Sequence, residues 1–503
     1  LLSRGAAVSL TAADPGGTTS FNATGKWNNS QAPSAANDYF TAAYFLRTPV
    51  DSGGVSYTFA GNSLTLQQPT SSGVRSLIVK SGNNDTFTIN NLTNAFGGIL
   101  ENGGSGNVVE NFTGNQWTIA GNSAVMGNQG SLVIGYPLVG ATGVILTNGG
   151  GNAAGITYNG NNSGFQGIFY VSTVNFGNGG GNSKLVFGSG NSMPGNPATF
   201  TPNQIWIGAG CTVQDSAGLT FNNANGGFLL NGPGTATLQI MSSTTIAEPI
   251  TDNTNGVSSG CSLTLTGGGN LTLSGVNTYS GGTIISAGTL KVGSALALTN
   301  SSTITDNGVL DLNGFNTTVS TLTGSGSVDN TGAGTATLTV GTGGASSSFA
   351  GYLQNSGGAL NLVKVGAGAL TLAGGYTYSG VTVAAGGTLN LVTTANLPSS
   401  PGNLVVSNGA TVAVNAAGGT ALPVAGLVVG TNSSLSLTPT ATSAGVSGTG
   451  NLTLQDNAVI AVAYPGALTA NPSAAAINVA GAVQLAGTNL TINLAATGLK
   501  SGN

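Results

Sequence analysis

Residues Gly269 to Leu290 and Gly368 to Leu389 read as one segment written twice: Gly-Asn-Leu-Thr-Leu-Ser-Gly-Val-Asn-Thr-Tyr-Ser-Gly-Gly-Thr-Ile-Ile-Ser-Ala-Gly-Thr-Leu, then Gly-Ala-Leu-Thr-Leu-Ala-Gly-Gly-Tyr-Thr-Tyr-Ser-Gly-Val-Thr-Val-Ala-Ala-Gly-Gly-Thr-Leu. Leu271 aligns with Leu370, Leu273 with Leu372, Tyr279 with Tyr378, Gly281 with Gly380 and Leu290 with Leu389, every offset being 99 with no gap. Each copy is an alternating strand, a Gly-containing corner, a Tyr-Ser-Gly corner and another alternating strand. A period-2 apolar pattern broken every few residues by Gly or Asn marks a chain that turns corners repeatedly while keeping one side of each strand inward. The expected fold is all-β, a parallel β-helix (β-solenoid).

At these residues the chain resembles the autotransporter-associated β-strand repeat, found in passenger regions of bacterial autotransporters and in large surface proteins of other bacteria. That family runs Gly-x-Leu-x-Leu-x-Gly-x-Asn-Thr-Tyr-x-Gly-Gly-Thr and then a Gly-Thr-Leu strand. The first copy keeps nearly all of it. In the second, Gly375, Tyr376 and Val381 stand at the family's variable, Asn and Gly positions, so its polar corner departs from the pattern. Leu362-Val363-Lys364-Val365-Gly366 is similar to the coil that leads into the motif. The resemblance and the handedness of parallel crossovers both imply a right-handed helix. With roughly 20 to 25 residues per coil there would be about 20 coils, and at about 4.8 Å each they would form a single rod on the order of 100 Å.

Composition narrows the function. Charged residues make up 4% of the 503, and the net charge of −4 comes from 13 acids and 9 bases spread thinly, so no basic stripe exists for nucleic acid. No apolar run reaches the length of a membrane-spanning helix. Histidine is absent, which removes the commonest general base, the usual zinc ligand and any Ser-His-Asp triad. Cys211 and Cys261 are the candidates for a disulfide if the stacked coils bring their Cα atoms within about 7 Å; otherwise they are free thiols. The chain begins at Leu1 rather than Met and stops abruptly at Asn503, so the expectation is that a signal peptide and a C-terminal anchoring segment have been removed or lie outside the sequence.

Along the chain, residues 1–19 read as an extended tail in which Ala6 to Ala12 can form a strand, either loose or added to a neighbouring subunit. Residues 20–56 read as a cap. They are similar to the Trp-Asn, Pro, Asn-Asp segment that opens proteins of the same repeat group, with Trp27 and Phe40 as a plug over the solenoid's first coil. Residues 57–245 read as an irregular solenoid whose longest turns, between residues 147 and 190, are the place for any recognition. Residues 246–422 hold the recognisable repeats, and residues 423–503 read as degenerate coils. Asn and Gly recur at corners because both tolerate positive φ, and Asn can also stack from coil to coil.

Parallel β-helices also host polysaccharide-cleaving enzymes, which need carboxylates converging on one groove. The candidate sets are Asp306, Asp311 and Asp329, in which Asp306 and Asp329 could lie on adjacent coils, and Asp38, Asp51, Lys26 and Arg47. Asp306-Asn307-Gly308 reads more simply as a turn, and Asp311 as an outward strand residue. Gly103-Gly104-Ser105-Gly106-Asn107-Val108 begins like a calcium-binding repeat, but Val108 occupies the position that needs Asp. Tyr279 and Tyr378 could stack on sugars, yet their equivalent places suit packing at a corner. No catalytic residue, cofactor or metal is expected. The leading expectation is a non-enzymatic extracellular structural protein, a subunit of a bacterial surface fibre or sheath that joins itself end to end or through its N-terminal strand. The rival is a surface-displayed adhesin that binds glycans through its loops.

Overall fold

A computed structural model describes residues 5–13, 22–48, 56–67, 76–79, 85–101, 109–127, 131–150, 155–173, 183–254, 257–258, 260–298, 303–392, 397–398, 401–416, 419–440, 442–467 and 472–497. Every regular element among them is a β-strand, and no helix among them is long and apolar enough to cross a membrane. The chain forms two compact bodies, Leu1–Asn270 with Gly275–Gly281, and Leu271–Ser274 with Gly282–Asn503.

In the first body Asn91–Ala95, Gly98–Glu101 and Val109–Thr113 make one coil, and Gln116–Ile119 opens the next directly beside Asn91–Ala95, in parallel register. Repetition of this step stacks three parallel sheets, one of them nine strands deep. The second body is built in the same way, with one sheet eight strands deep. The fold is therefore a parallel β-solenoid, as the alternation predicts. Ser63–Gln67 and Ser434–Thr438 show why: Leu64, Leu66, Leu435 and Leu437 are fully buried while the residues between them are only partly covered. Each such Leu contributes about 1.5–3 kcal/mol by leaving water.

Coil length is less regular than 20 to 25 residues. It falls to 18 between Thr303 and Thr321 and rises to 36 between Phe169 and Ile205, so fewer coils form than the twenty or so expected. The variation shifts the two sequence copies relative to the sheets. Ala369–Leu372 and Thr388–Val392 of the second copy are neighbours in the sheet that also holds Thr283–Ile285 of the first. Leu271–Leu273 and Thr289–Val292 lie in a different sheet, where Gly293 N–H donates to Leu273 O at 2.7 Å. The repeat reproduces one local coil, displaced by a face of the solenoid.

The cores differ. In the first body aromatic rings follow one another from coil to coil: Tyr57 on Phe87, Phe87 by Phe112, Phe112 by Tyr136, and further on Tyr158, Phe169, Phe187, Phe221 and Phe228. In the second body stacked Leu, Val and Ile fill the interior. Its corners use Asn in the left-handed region at Asn408, Asn432, Asn457 and Asn489, with φ of 52°, 57°, 56° and 57°. Asn457 Nδ2 donates to Asn432 Oδ1 at 2.9 Å, a rung of the ladder expected of such corners.

The N-terminal strand belongs to its own body. Ala6–Ser9 pairs in parallel with Asn37–Phe40, and Val8 and Leu10 are buried. Trp27 then crosses Leu10 as an antiparallel bridge, with Asn28 N–H donating to Ser9 O and Thr11 N–H to Lys26 O, each at 2.9 Å. Trp27 is buried with Tyr39 edge-on at 4.8 Å and Phe59 at 6.2 Å, so it does plug the first coil. Phe40 does not, because alternation turns it outward and places Tyr39 inward.

Candidate functional site

The three carboxylates Asp306, Asp311 and Asp329 do not form one cluster. Asp311 and Asp329 are rung partners on adjacent coils, while Asp306 is paired with Gly324 in another sheet. The 18-residue coil thus brings Asp311, not Asp306, beside Asp329. Asp311 accepts from Asn313 N at 2.9 Å, Thr331 N at 3.1 Å and Thr331 Oγ1 at 2.6 Å, and Lys291 Nζ lies 3.4 Å away. Asp329 accepts from Gln354 Nε2 at 3.0 Å, Ser356 N at 2.8 Å and Ser356 Oγ at 2.7 Å. Thr331 and Ser356 sit one coil further on, so each acid ties its corner to the next.

The same device recurs at Asp38 with Asn62 and Ser63, Asp215 with Thr244, Asp252 with Ser280, and Asp456 with Thr488. In the second candidate set Lys26 is engaged through its backbone O, the Arg47 guanidinium sits 5.7 Å from the centre of the Phe45 ring, and Asp51 lies outside the described residues. Asp329→Ala should lower stability by about 1–3 kcal/mol, because it removes three hydrogen bonds from the next coil to a buried, charged acceptor. Urea denaturation measures the loss, and Asp329→Asn should recover part of it.

Two acids are buried in a different way. Asp306 points inward at the rung position of Ile285, with Oδ1 accepting Gly308 N at 3.1 Å and Oδ2 unbonded. Glu248 accepts Asn223 N through Oε1 at 2.8 Å, beside Gln204, whose Nε2 holds Gly195 O at 2.6 Å. Burial raises both pKa values to about 7, opposed by their backbone hydrogen bonds. The unfolded groups ionise near 4, so between about pH 4 and 7 the unfolded chain carries fewer protons and folding weakens as pH rises. Thermal melts should show higher stability at pH 5 than at pH 8. Asp306→Asn should remove its share of the slope, on the order of 4 kcal/mol for a shift of this size. This network was not foreseen from the sequence, although Glu248-Pro249 inside an apolar run was a visible signal.

The repeat residues are structural. Leu271, Leu273, Leu290, Leu370, Leu372 and Leu389 are all inward and buried, as are Tyr279 and Tyr378. Tyr378 Oη pairs with Thr382 Oγ1 at 2.6 Å, and burial pushes its pKa up to about 12. Tyr376, at the departed Asn position, donates to Val392 O at 2.9 Å. In the first copy Asn277 Oδ1 accepts Ile250 N at 2.9 Å at that corner. Lys364 is buried with its ammonium shared among Val365 O, Gly366 O and Gly386 O at 2.7, 3.0 and 3.2 Å, which completes all three donors without an acid.

A shallow depression opens beside Tyr376 and Tyr378, walled by Pro398, Pro401, Pro423 and Asn403. Both tyrosine hydroxyls and Thr382 are already bonded within the body, and no acid lines the depression. It offers no catalytic pair. Among the described residues no group of three potential metal ligands occurs. Cys211 and Cys261 are free and buried, each thiol pushed up to about 11 by burial. The register explains why they do not pair. Thr212 partners Thr237 and Thr237 partners Thr264, so the two cysteines are two coils and two positions apart, about 10 Å by rung spacing alone. Parts of the 147–190 loops, and the Gly-rich segment before Val109, lie outside the described residues.

These features define a parallel β-solenoid in which Asp38, Asp215, Asp252, Asp311, Asp329 and Asp456 tie corners of adjacent coils together. Residues 263–292 and 362–391 match the family model of the passenger-associated-transport-repeat, and the two matches start and end 99 residues apart, as the sequence copies do. The chain is thus a β-solenoid carrying two repeats of the autotransporter-associated passenger type. No curated protein and no solved structure matches it.

Proposed function

We propose that the chain is a non-enzymatic structural protein, exported and held at or beyond a bacterial cell surface, where it serves as a subunit of a fibre or sheath. The observation that carries this reading is the commitment of the carboxylates: Asp38, Asp215, Asp252, Asp311, Asp329 and Asp456 each bind a residue of the following coil. A glycosidase or lyase needs acids free to face substrate. The passenger-type repeats support export. Assembly through a donated N-terminal strand is disfavoured, because Ala6–Ser9 is already paired within its own body.

Electron microscopy of the purified chain, together with incubation on a panel of polysaccharides, tests the reading. Assemblies larger than one chain, with no turnover, are the expected result. Isolated particles at every concentration would refute the fibre or sheath, and turnover that Asp311→Asn or Asp329→Asn abolishes would refute the non-enzymatic role.

A further inference from the structure

We propose that residues 188–204 form a strap along one edge of the first body and that Glu248 is its proton-controlled latch, closed while the carboxyl keeps its proton and released once the proton is lost. The strap is an excursion without a strand, and it is the reason the coil from Phe169 to Ile205 takes 36 residues. It is sewn to the solenoid at points far apart in sequence. Asn162 Nδ2 donates to Ser192 O at 2.6 Å, Gly195 N–H to Phe165 O at 2.9 Å, Ala198 N–H to Thr142 Oγ1 at 3.0 Å, and Asn225 Nδ2 to Pro197 O at 3.0 Å. Between these ties Phe200 stands 61% exposed, so the strap lies on the body rather than inside it.

One further tie runs through an acid. Asn223 donates its backbone N–H to Glu248 Oε1 at 2.8 Å and its side-chain amide to Gln204 Oε1 at 3.0 Å and Pro194 O at 3.2 Å, while Gln204 Nε2 donates to Gly195 O at 2.6 Å. Asn223 thus couples Glu248 to two points of the strap. Gln204 is fully buried and Glu248 is 2% exposed. A Cβ on Gly226 would stand 2.6 Å from Gln204 Oε1 and 2.9 Å from Glu248 Cδ, so the two groups close on one another over a glycine. Glu248 Oε2 is buried and bonded to nothing. A neutral carboxyl fits such a place, whereas an ionised one sets a charge there without a donor and beside another acceptor oxygen. The groups that meet Glu248 are Asn223 and Gly226 of the preceding coil, Gln204 of the strap and Gly275 of the following coil, and none of them is charged. Asp252, the next acid along its own coil, accepts from Ser280 Oγ at 2.6 Å and acts on Cys261.

Opening the strap would admit water to Oε2. The carboxyl then ionises near its ordinary value of 4.5, against about 7 when buried. The open form therefore binds fewer protons, and between about pH 4.5 and pH 7 each pH unit multiplies its population by up to about ten, with little change outside that window.

Hydrogen exchange on the 503-residue chain from pH 5 to pH 8 tests this. After correction for the pH dependence of the exchange chemistry itself, opening at the amides of Gly195, Ala198 and Thr201 should rise by up to about tenfold per pH unit and level off beyond pH 7. The strand amides of Ser131–Ile134 should open less often throughout. Glu248→Gln, which keeps the neutral shape at every pH, should abolish the rise, and Asp306→Asn in the second body should leave it in place. Should Glu248→Gln not fold, Asn223→Ala gives the second readout, because cutting the tether should leave the strap amides unprotected already at pH 5. A flat profile in the wild type, a rise that survives Glu248→Gln, a strap that opens only together with Ser131–Ile134, or full protection in Asn223→Ala would each overturn the proposal.

Discussion

Replacing Trp117 with alanine is expected to destabilise the first body by about 3–5 kcal/mol, the range for removal of a fully buried large aromatic ring. Trp117 is wholly buried, its rung neighbours are Leu92 and Leu138, and Tyr136 meets it edge-on at 5.8 Å. Tyr136 cannot swing into the space, because its hydroxyl donates to Ile89 O at 2.8 Å and accepts from Ile89 N at 3.2 Å. Adjacent coils are held by continuous backbone ladders, so the cavity cannot close by bringing them together. The indole N–H has no partner, so Trp117→Phe loses volume but no hydrogen bond and should cost distinctly less. Urea unfolding followed at two wavelengths measures both variants. A loss under about 1 kcal/mol for Trp117→Ala would mean that this core is not packed as described.

The second large effect is at a corner glycine. A Cβ on Gly380 would stand 2.0 Å from Leu360 O and 2.5 Å from both Leu360 C and Asn361 Oδ1. Leu360 opens the Leu360–Lys364 strand, which is locked between Ala336–Val340 and Thr382–Ala384, so the obstructing backbone has nowhere to go. Gly380→Ala should therefore cost about 1–3 kcal/mol or more from overpacking alone. Gly334→Ala makes a suitable control, since a Cβ there meets nothing within 4 Å and Gly334 is not in the left-handed region. Thermal unfolding should leave Gly334→Ala near the wild type and move Gly380→Ala well below it. A Cβ on Gly281, the matching residue of the first copy, would stand 2.3 Å from Cys261 C. The same contact thus accounts for Gly in the Tyr-Ser-Gly corner of both copies.

Much of the fold was legible because a solenoid repeats one local decision. Leu-Thr-Leu triplets between Gly or Asn corners announce strands with one buried side, and Leu271, Leu273, Leu370 and Leu372 behave as that pattern requires. Trp27 was singled out through the resemblance of residues 20–56 to the segment that opens proteins of the same repeat group, and the structure buries it against Tyr39 and Phe59. Its partner was misjudged, since choosing between Tyr39 and Phe40 depends on the phase of a four-residue strand, and a shift by one residue exchanges the two sides.

The acids were harder to place. An 18-residue coil and a 25-residue coil look alike in a Gly-rich sequence, yet the shorter one decides that Asp311 rather than Asp306 meets Asp329. Loop length at each corner sets register, and neither propensity nor alternation reports it. The coil-to-coil role of Asp and Asn emerges only when residues 18 to 32 positions apart are seen as neighbours. The inward Asp306 was read as a turn residue, which its bond to Gly308 N supports, but its burial without a second partner breaks the alternation rule and could not be anticipated from it.

The parallel register of successive coils is the claim on which the rest depends, and cysteine cross-linking tests it most directly. Thr305 and Thr323 are 18 residues apart and rung partners, with their hydroxyl oxygens 3.1 Å apart on the outer side of the sheet. The variant T305C/T323C should form a disulfide readily under mild oxidation in the folded protein, because neighbouring strands hold Cα atoms within bridging range. The off-register variant T305C/T321C should not, and the buried Cys211 and Cys261 should remain unmodified in both. Ready cross-linking of T305C/T321C, or failure of T305C/T323C to cross-link in a folded chain, would contradict the register from which the corner ties are derived.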